Sequence, residues 1–315
     1  MPISVGAILP IIMLISLGYI AVRRDVVGEG FGKHLNKYVF YFGAPALLFR
    51  NTALTEFPVD MPYGLWASYY GAMALCFALG AFCSLFFAPA MSGSGRVIVG
   101  FGSSFSNSVM LGIPIILTFF GPEGAIPLFL IFVFHGLIFI TATTIMMEFG
   151  RPEGANMKQV LREVTKSIAS QNVLIALIAG VLYGTTGIGF APFIDRFLDV
   201  LGSSTIPVAL IMTGATLANV RFRSSFSVGI YVGIIKLIIH PSLVFILGYY
   251  VFDLPELWVA VITVLAAMPS GIFTTMFAES YNVATDEASV IIVLTTLLSA
   301  GSLIFVLSFF EHLAG

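Results

Sequence analysis

Long uncharged apolar runs recur along almost the whole chain, separated by short polar connections. Nine of them, at 4–22, 63–89, 97–120, 125–147, 169–186, 200–220, 226–252, 257–278 and 288–310, are free or nearly free of Asp, Glu, Lys and Arg. A bilayer's hydrocarbon core takes about 20 apolar residues per helix, so each of these predicts a membrane-spanning helix. A tenth run, 35–54, contains Lys37 and Arg50. By the length between those charges alone it would be a buried or interfacial segment.

The basic residues decide the status of the tenth run, because Lys and Arg collect on the cytoplasmic side. With ten spans and the N-terminus outside, eleven of the fourteen fall inside: Arg23, Arg24, Lys33, Lys37, Arg96, Arg151, Lys158, Arg162, Lys166, Arg221 and Arg223. Arg50 and Arg196 lie outside, and Lys236 lies within a span. Nine spans lose this asymmetry. The first span has no positive segment ahead of it and reads as a retained helix, not a cleaved signal. The expectation is an all-α polytopic protein of the cell (inner) membrane with both termini outside.

Composition agrees. The chain is 58% hydrophobic and 10% charged, with a mean hydropathy of +1.03, whereas soluble domains run about 45–50% apolar and about 25% charged. A net charge of −2 offers no footprint for nucleic acid. Cys76 and Cys83, on one predicted helix, stand about 10 Å apart and cannot bridge.

Five runs precede the polar connection 149–168 and five follow it, which predicts halves 1–148 and 169–315. An odd number per half makes equivalent helices point in opposite directions, the inverted repeat of many secondary transporters. Pro45-Ala-Leu-Leu in the second run echoes Pro207-Val-Ala-Leu in the seventh. Gly112-Ile-Pro114 interrupts the fourth run and Pro269-Ser-Gly271 the ninth. Proline removes an N–H and clashes with the carbonyl four residues earlier, and lipid offers the freed groups no partner. Both interruptions have polar company: Ser103, Ser104, Ser106, Asn107 and Ser108 in the fourth run, and Ser270, Thr274 and Thr275 in the ninth. Broken helices of this kind present dipole ends near the membrane midplane, a ready ion site. Ordinary proline kinks with small residues for close packing are the simpler alternative.

Three ionisable groups lie at depth. Lys236 sits thirteen residues past Arg223, and a lysine at the centre costs on the order of 3 kcal/mol, so it should face a cavity or a partner. It could attract an anion or compensate charge during proton-linked transport, or it could be a structural cation on the carbonyls of a broken helix. His240 follows on the same helical face, and His135 is central in the fifth span; both are candidates for charge or proton coupling, or for simple packing and capping. The four histidines show no metal-ligand spacing. No nucleophile elbow, phosphate loop or intramembrane carboxylate pair is present. Neither an enzyme nor a cofactor is expected.

Several stretches resemble the auxin efflux carrier family of carboxylate permeases, which includes the PIN proteins. They are LNKYVFYFGAPALLFR (35–50), GFGSSFSNSVMLGIPIILTFFG (100–121), LGSSTIPVALIMTGATLA (201–218), KLIIHPSLVF (236–245) and LAAMPSGIFTTMFAESYNV (265–283). The resemblance implies ten transmembrane helices in two inverted five-helix repeats, with broken helices 4 and 9 crossing at Pro114 and Pro269. Spans 1, 2, 6 and 7 would form a scaffold, often dimeric, and spans 3–5 and 8–10 an elevator-like transport unit. Asn107, Gly112, Pro114, Lys236, His240 and Pro269 fall at motif positions.

The implied substrates are small organic anions such as malonate, malate or an auxin-like carboxylate. The anion would be held by Asn107, the hydroxyls of Ser106, Ser270 and Thr274 and the helix ends, with a proton or sodium as possible coupling ion. The large central loop of the long plant PINs is missing. A passive anion channel and a sodium-coupled symporter of the bile-acid type are the alternatives.

Overall fold

The computed structural model describes residues 3–58, 60–149, 171–218 and 226–314, together with 158, 160–162 and 164–165. Most of the connection 149–168, with Arg151 and Lys166, lies outside the described residues, as do Arg221 and Arg223. The described residues form helices and short connections, and no strand occurs among them. Among the described residues, five stretches are long and apolar enough to cross a membrane: Tyr63–Phe87, Ser108–Glu148, Pro192–Ala218, Phe226–Val251 and Thr285–His312. The protein is therefore an all-helical polytopic membrane protein.

The first run forms α1 (Ile3–Arg23). The charged tenth run is helical throughout, as α2 (Phe31–Tyr38) and α3 (Ala44–Leu54) joined by a π turn at Val39–Gly43. Then come α4 (Tyr63–Phe87), α5 (Gly93–Ser104), α6 (Ile113–Phe120) and α7 (Ala125–Phe149). The second half contributes α8 (Asn172–Gly184) and α9 (Pro192–Ala218). These are followed by α10 (Phe226–Ile234), α11 (His240–Ile246), α12 (Glu256–Ala266), α13 (Phe273–Tyr281) and α14 (Thr285–Ala314).

Three π turns each end two residues before a proline. Val39–Gly43 precedes Pro45, Ser108–Gly112 precedes Pro114, and Ile235–Ile239 precedes Pro241. Widening the turn moves the carbonyl four residues back out of the proline's way, so the chain stays helical without the missing N–H. At Pro241 the freed carbonyl belongs to Leu237, and the Ser302 hydroxyl donates to it at 3.0 Å.

The proline pattern puts the interruption of the fourth run at Gly112-Ile-Pro114, but the helix unwinds earlier, at residues 105–107. Pro114 instead follows the π turn Ser108–Gly112 within a continuous helical stretch, and the widened turn accommodates its ring and missing N–H. In the ninth run the break does fall at the proline, between α12 and α13.

Two groups of helices pack closely. Gly18 of α1 lies on the Ile211 carbonyl of α9, and Gly214 of α9 lies on the Ile15 carbonyl of α1. Gly180 of α8 lies on Thr52 and Phe49 of α3, and Gly202 of α9 on Leu47 of α3. Lipid gives helices no hydrophobic reason to associate, so small residues that let backbones touch supply the packing. At one end, the Arg50 guanidinium spans α3 and α9, donating to both Asp195 oxygens at 2.7 and 3.1 Å. In the other group, α4 packs on α5 through Gly80 and Ser103, and α10 on α14 through Gly229 and Leu294. The main core, including Tyr69, Phe101, Phe105 and Leu265, surrounds the two breaks.

Candidate functional site

The two unwound segments pair with each other. The Asn107 N–H donates to the Pro269 carbonyl at 2.8 Å, and the Gly271 N–H donates to the Phe105 carbonyl at 2.9 Å. Ser106 and Ser270 thus face each other as an isolated antiparallel bridge. Backbone groups that a broken helix would leave bare in lipid are satisfied by the opposite break.

Side chains complete the junction. The Ser270 hydroxyl donates to the Gly102 carbonyl in the last turn of α5. The Ser270 N–H is taken by the Thr295 hydroxyl of α14 at 3.1 Å. Gly112 approaches Leu265 of α12 so closely that a Cβ there would sit 2.8 Å from the leucine side chain.

Lys236 is wholly buried and has three acceptors for its three N–H groups. They are the Ser106 hydroxyl at 2.9 Å, His240 Nδ1 at 3.1 Å and the Ala266 carbonyl at 2.5 Å. Ala266 ends α12, so the ammonium sits at the negative end of that half-helix. An ammonium has no lone pair, so toward it His240 Nδ1 is the acceptor. Lys236 is thus bound to both breaks and to its own helix, and offers a ligand no spare N–H.

A cavity of about 760 Å³ reaches the pair of breaks from one side. Phe105 of the first break, Val109 just beyond it and Phe273 at the start of α13 form its floor. Val109 and Phe273 stand in the first turns of the second halves of the broken helices, the ends that carry positive partial charge. Lys33, Asn36 and Lys37 of α2 line the mouth and Gln171 and Asn172 the wall, and no Asp or Glu among the described residues lines it. His135 of α7 also lines the cavity, 4% exposed. Its ring stacks on Phe105 with centroids 4.6 Å apart. The Ser106 carbonyl faces this ring without closing a well-formed hydrogen bond. Tyr69 fills the space between the two histidines, 5.7 Å from His135 and 6.1 Å from His240 by ring centroids.

The arrangement is a water-accessible, cation-lined cavity ending on a double helix break deep in an apolar bundle. That is the form of a solute pathway. A sequence model for a family described as membrane transport protein matches residues 3–307. The chain belongs to this family.

Membrane transport proteins of known sequence align along nearly its whole length. A Rhizobium meliloti protein named as a candidate malonate transporter is 28% identical, over 94% of this chain and 92% of its own. An uncharacterized transporter of Methanocaldococcus jannaschii is 24% identical, over 89% and 90%. Auxin efflux carrier component 8 of Arabidopsis thaliana is 22% identical, over 88% and 89%. The family is thus the auxin efflux carrier group that the motifs resemble, and this member is a membrane transporter, not an enzyme.

Within this transporter, the residues singled out by sequence divide in two. Ser106, Pro269, Ser270, Lys236 and His240 come together at the junction, already bonded to protein. Gly112 and Pro114 shape the turn that follows it, Thr274 is buried in the first turn of α13, and Asn107 is half-buried at its edge. Only His135 of the ten lines the cavity. Sequence reasoning missed Thr295, Tyr69 and Gln171. Thr295 and Gln171 carried a faint signal, as polar residues within or at the head of apolar runs. Tyr69 carried none, because tyrosine is unexceptional in a span. No group of three or more His, Cys, Asp or Glu among the described residues could hold a metal ion.

Proposed function

We propose that the protein is a secondary transporter that carries small organic anions by alternating access. The observation that carries this reading is the cavity: two lysines at its mouth, no carboxylate in its described lining, and a floor of two half-helix N-terminal ends beside buried His135. Field lines in such a low-dielectric cleft draw anions inward. The substrate carboxylate would rest on that floor against His135, with Asn107 at the edge of the junction. Ser106, Gly112, Pro114, Pro269, Ser270 and Thr274 would build the junction and not grip the anion. Lys236 and His240 would fix its charge and geometry from behind.

The reading extends to architecture. Ten spans in two inverted five-helix repeats, 1–148 and 169–315 around the connection 149–168, fit the order of helices and the pairing of breaks in the fourth and ninth. The α1–α9, α3–α8 and α3–α9 seams support a scaffold of spans 1, 2, 6 and 7, through which a homodimer would form. Spans 3–5 and 8–10 would move against it as an elevator. With the termini outside the cell (inner) membrane, the Lys33 and Lys37 end of the cavity is cytoplasmic, and this conformation faces inward.

The Rhizobium meliloti relative's name makes malonate the first substrate to test. Protein in liposomes should carry malonate with saturation and counterflow; malate and indole-3-acetate measure the breadth of the site. Paired runs with and without sodium, and with and without a pH gradient, identify the coupling ion. A non-saturating flux without counterflow would establish a passive channel and overturn the proposal.

A further inference from the structure

Gln171 is the last residue before α8, its N-cap position. Here the side chain makes no cap hydrogen bond. Its amide Nε2 is buried with no hydrogen-bond partner among the described residues, and the residue lines the same cavity as His135. It reaches there over Gly136 of α7. A Cβ on Gly136 would stand 2.5 Å from Gln171 Oε1, so the glycine leaves the groove in which the amide lies. Asn172, Val173 and Leu174, the first turn of α8, line the cavity beside it. The N–H groups of a first turn have no intrahelical acceptor, and the helix dipole adds positive charge to them.

We propose that Gln171 and the first turn of α8 form the second wall of the anion site. One carboxylate is then held between His135 on α7 and the Gln171 amide on the facing helix. His135 and Gln171 line one cavity, and Gly136, next to His135 in the chain, packs on Gln171, yet they belong to the two helical groups that alternating access would separate. The bound carboxylate therefore bridges the seam between them. Gln171 must release it when α7 moves, so its contact belongs to this conformation only. This assignment rests on the proposed transport of organic anions.

The test uses the full chain in lipid nanodiscs with malonate as probe, against acetate and sodium chloride at matched ionic strength. Gln171→Ala should weaken malonate binding about tenfold, the usual scale for one hydrogen bond to a charged group. Gln171→Glu should weaken it further, because a second negative charge would face the anion. Gly136→Ala keeps Gln171 but displaces it from its groove, and should reproduce the loss. It also carries the test if either Gln171 variant does not fold. Wild-type affinity in the folded variants overturns the second wall while leaving the transport reading intact. If the wild-type protein neither binds nor carries malonate, malate, acetate or indole-3-acetate, the transport reading fails and this assignment with it.

Discussion

The N–H of Asn107 donates to the carbonyl of Pro269 at 2.8 Å, joining two broken helices from opposite halves of the chain. Each break leaves backbone groups that lipid cannot satisfy, and each supplies what the other lacks. The pairing explains how two unwound segments persist deep in an apolar bundle. It also makes each break depend on the other.

Replacing Pro269 with Ala restores an N–H and removes a ring clash, and interior proline disfavours helix by about 3 kcal/mol. Pro269→Ala should therefore let α12 extend toward α13 and loosen the pairing with Asn107. Malonate uptake into liposomes should fall at least tenfold, with melting temperature little changed. Pro114→Ala should be milder, because the π turn before Pro114 already accommodates its ring and missing N–H. Equal and full uptake in both variants would remove the junction from the mechanism.

Lys236→Met removes the donor to the Ser106 hydroxyl, His240 Nδ1 and the Ala266 carbonyl, all in a fully buried site. Each buried group left unsatisfied costs about 1–3 kcal/mol. The variant should melt several degrees lower and bind no anion. Lys236→Arg should rescue little, since a planar fork does not match three acceptors placed around one nitrogen. A Lys236→Met protein with native melting and native anion affinity would show that neither the charge nor the bonds matter.

Lys33 and Lys37 are exposed at the cavity mouth, and their role is long-range attraction. The Lys33→Ala/Lys37→Ala double variant should raise the apparent KM for malonate several-fold at low salt. The difference should shrink as ionic strength rises and the Debye length falls to about 8 Å near physiological salt. A salt-independent defect would indicate direct contact with the anion instead.

Gly18→Val and Gly214→Val each force a side chain into the partner helix's backbone. Overpacking of this kind costs about 1–3 kcal/mol, so either variant should lower the melting temperature in detergent. By contrast Asp195→Ala, which breaks a half-exposed ion pair with Arg50, should cost about 1 kcal/mol or less. Thermal melts of the three variants side by side would rank the two kinds of contact. A larger loss for Asp195→Ala would mean that charge, not close packing, holds that helix group together.

By itself, the sequence determined the all-helical membrane class and the presence of an interruption in the fourth and in the ninth apolar run. Lipid forces every spanning segment to satisfy its backbone internally, so these features are written locally, residue by residue. The polar company of the breaks was equally legible, and Lys236 announced itself as the lone cation of its span.

Only the tertiary structure decided what those residues do. It moved the fourth-run break from Pro114 to residues 105–107, because a π turn absorbs the proline. It showed Lys236 spent on three protein acceptors, and it brought His135 and Gln171 to one cavity. These contacts join segments far apart in the chain, and a hydrogen bond across a seam leaves no period or spacing in either segment.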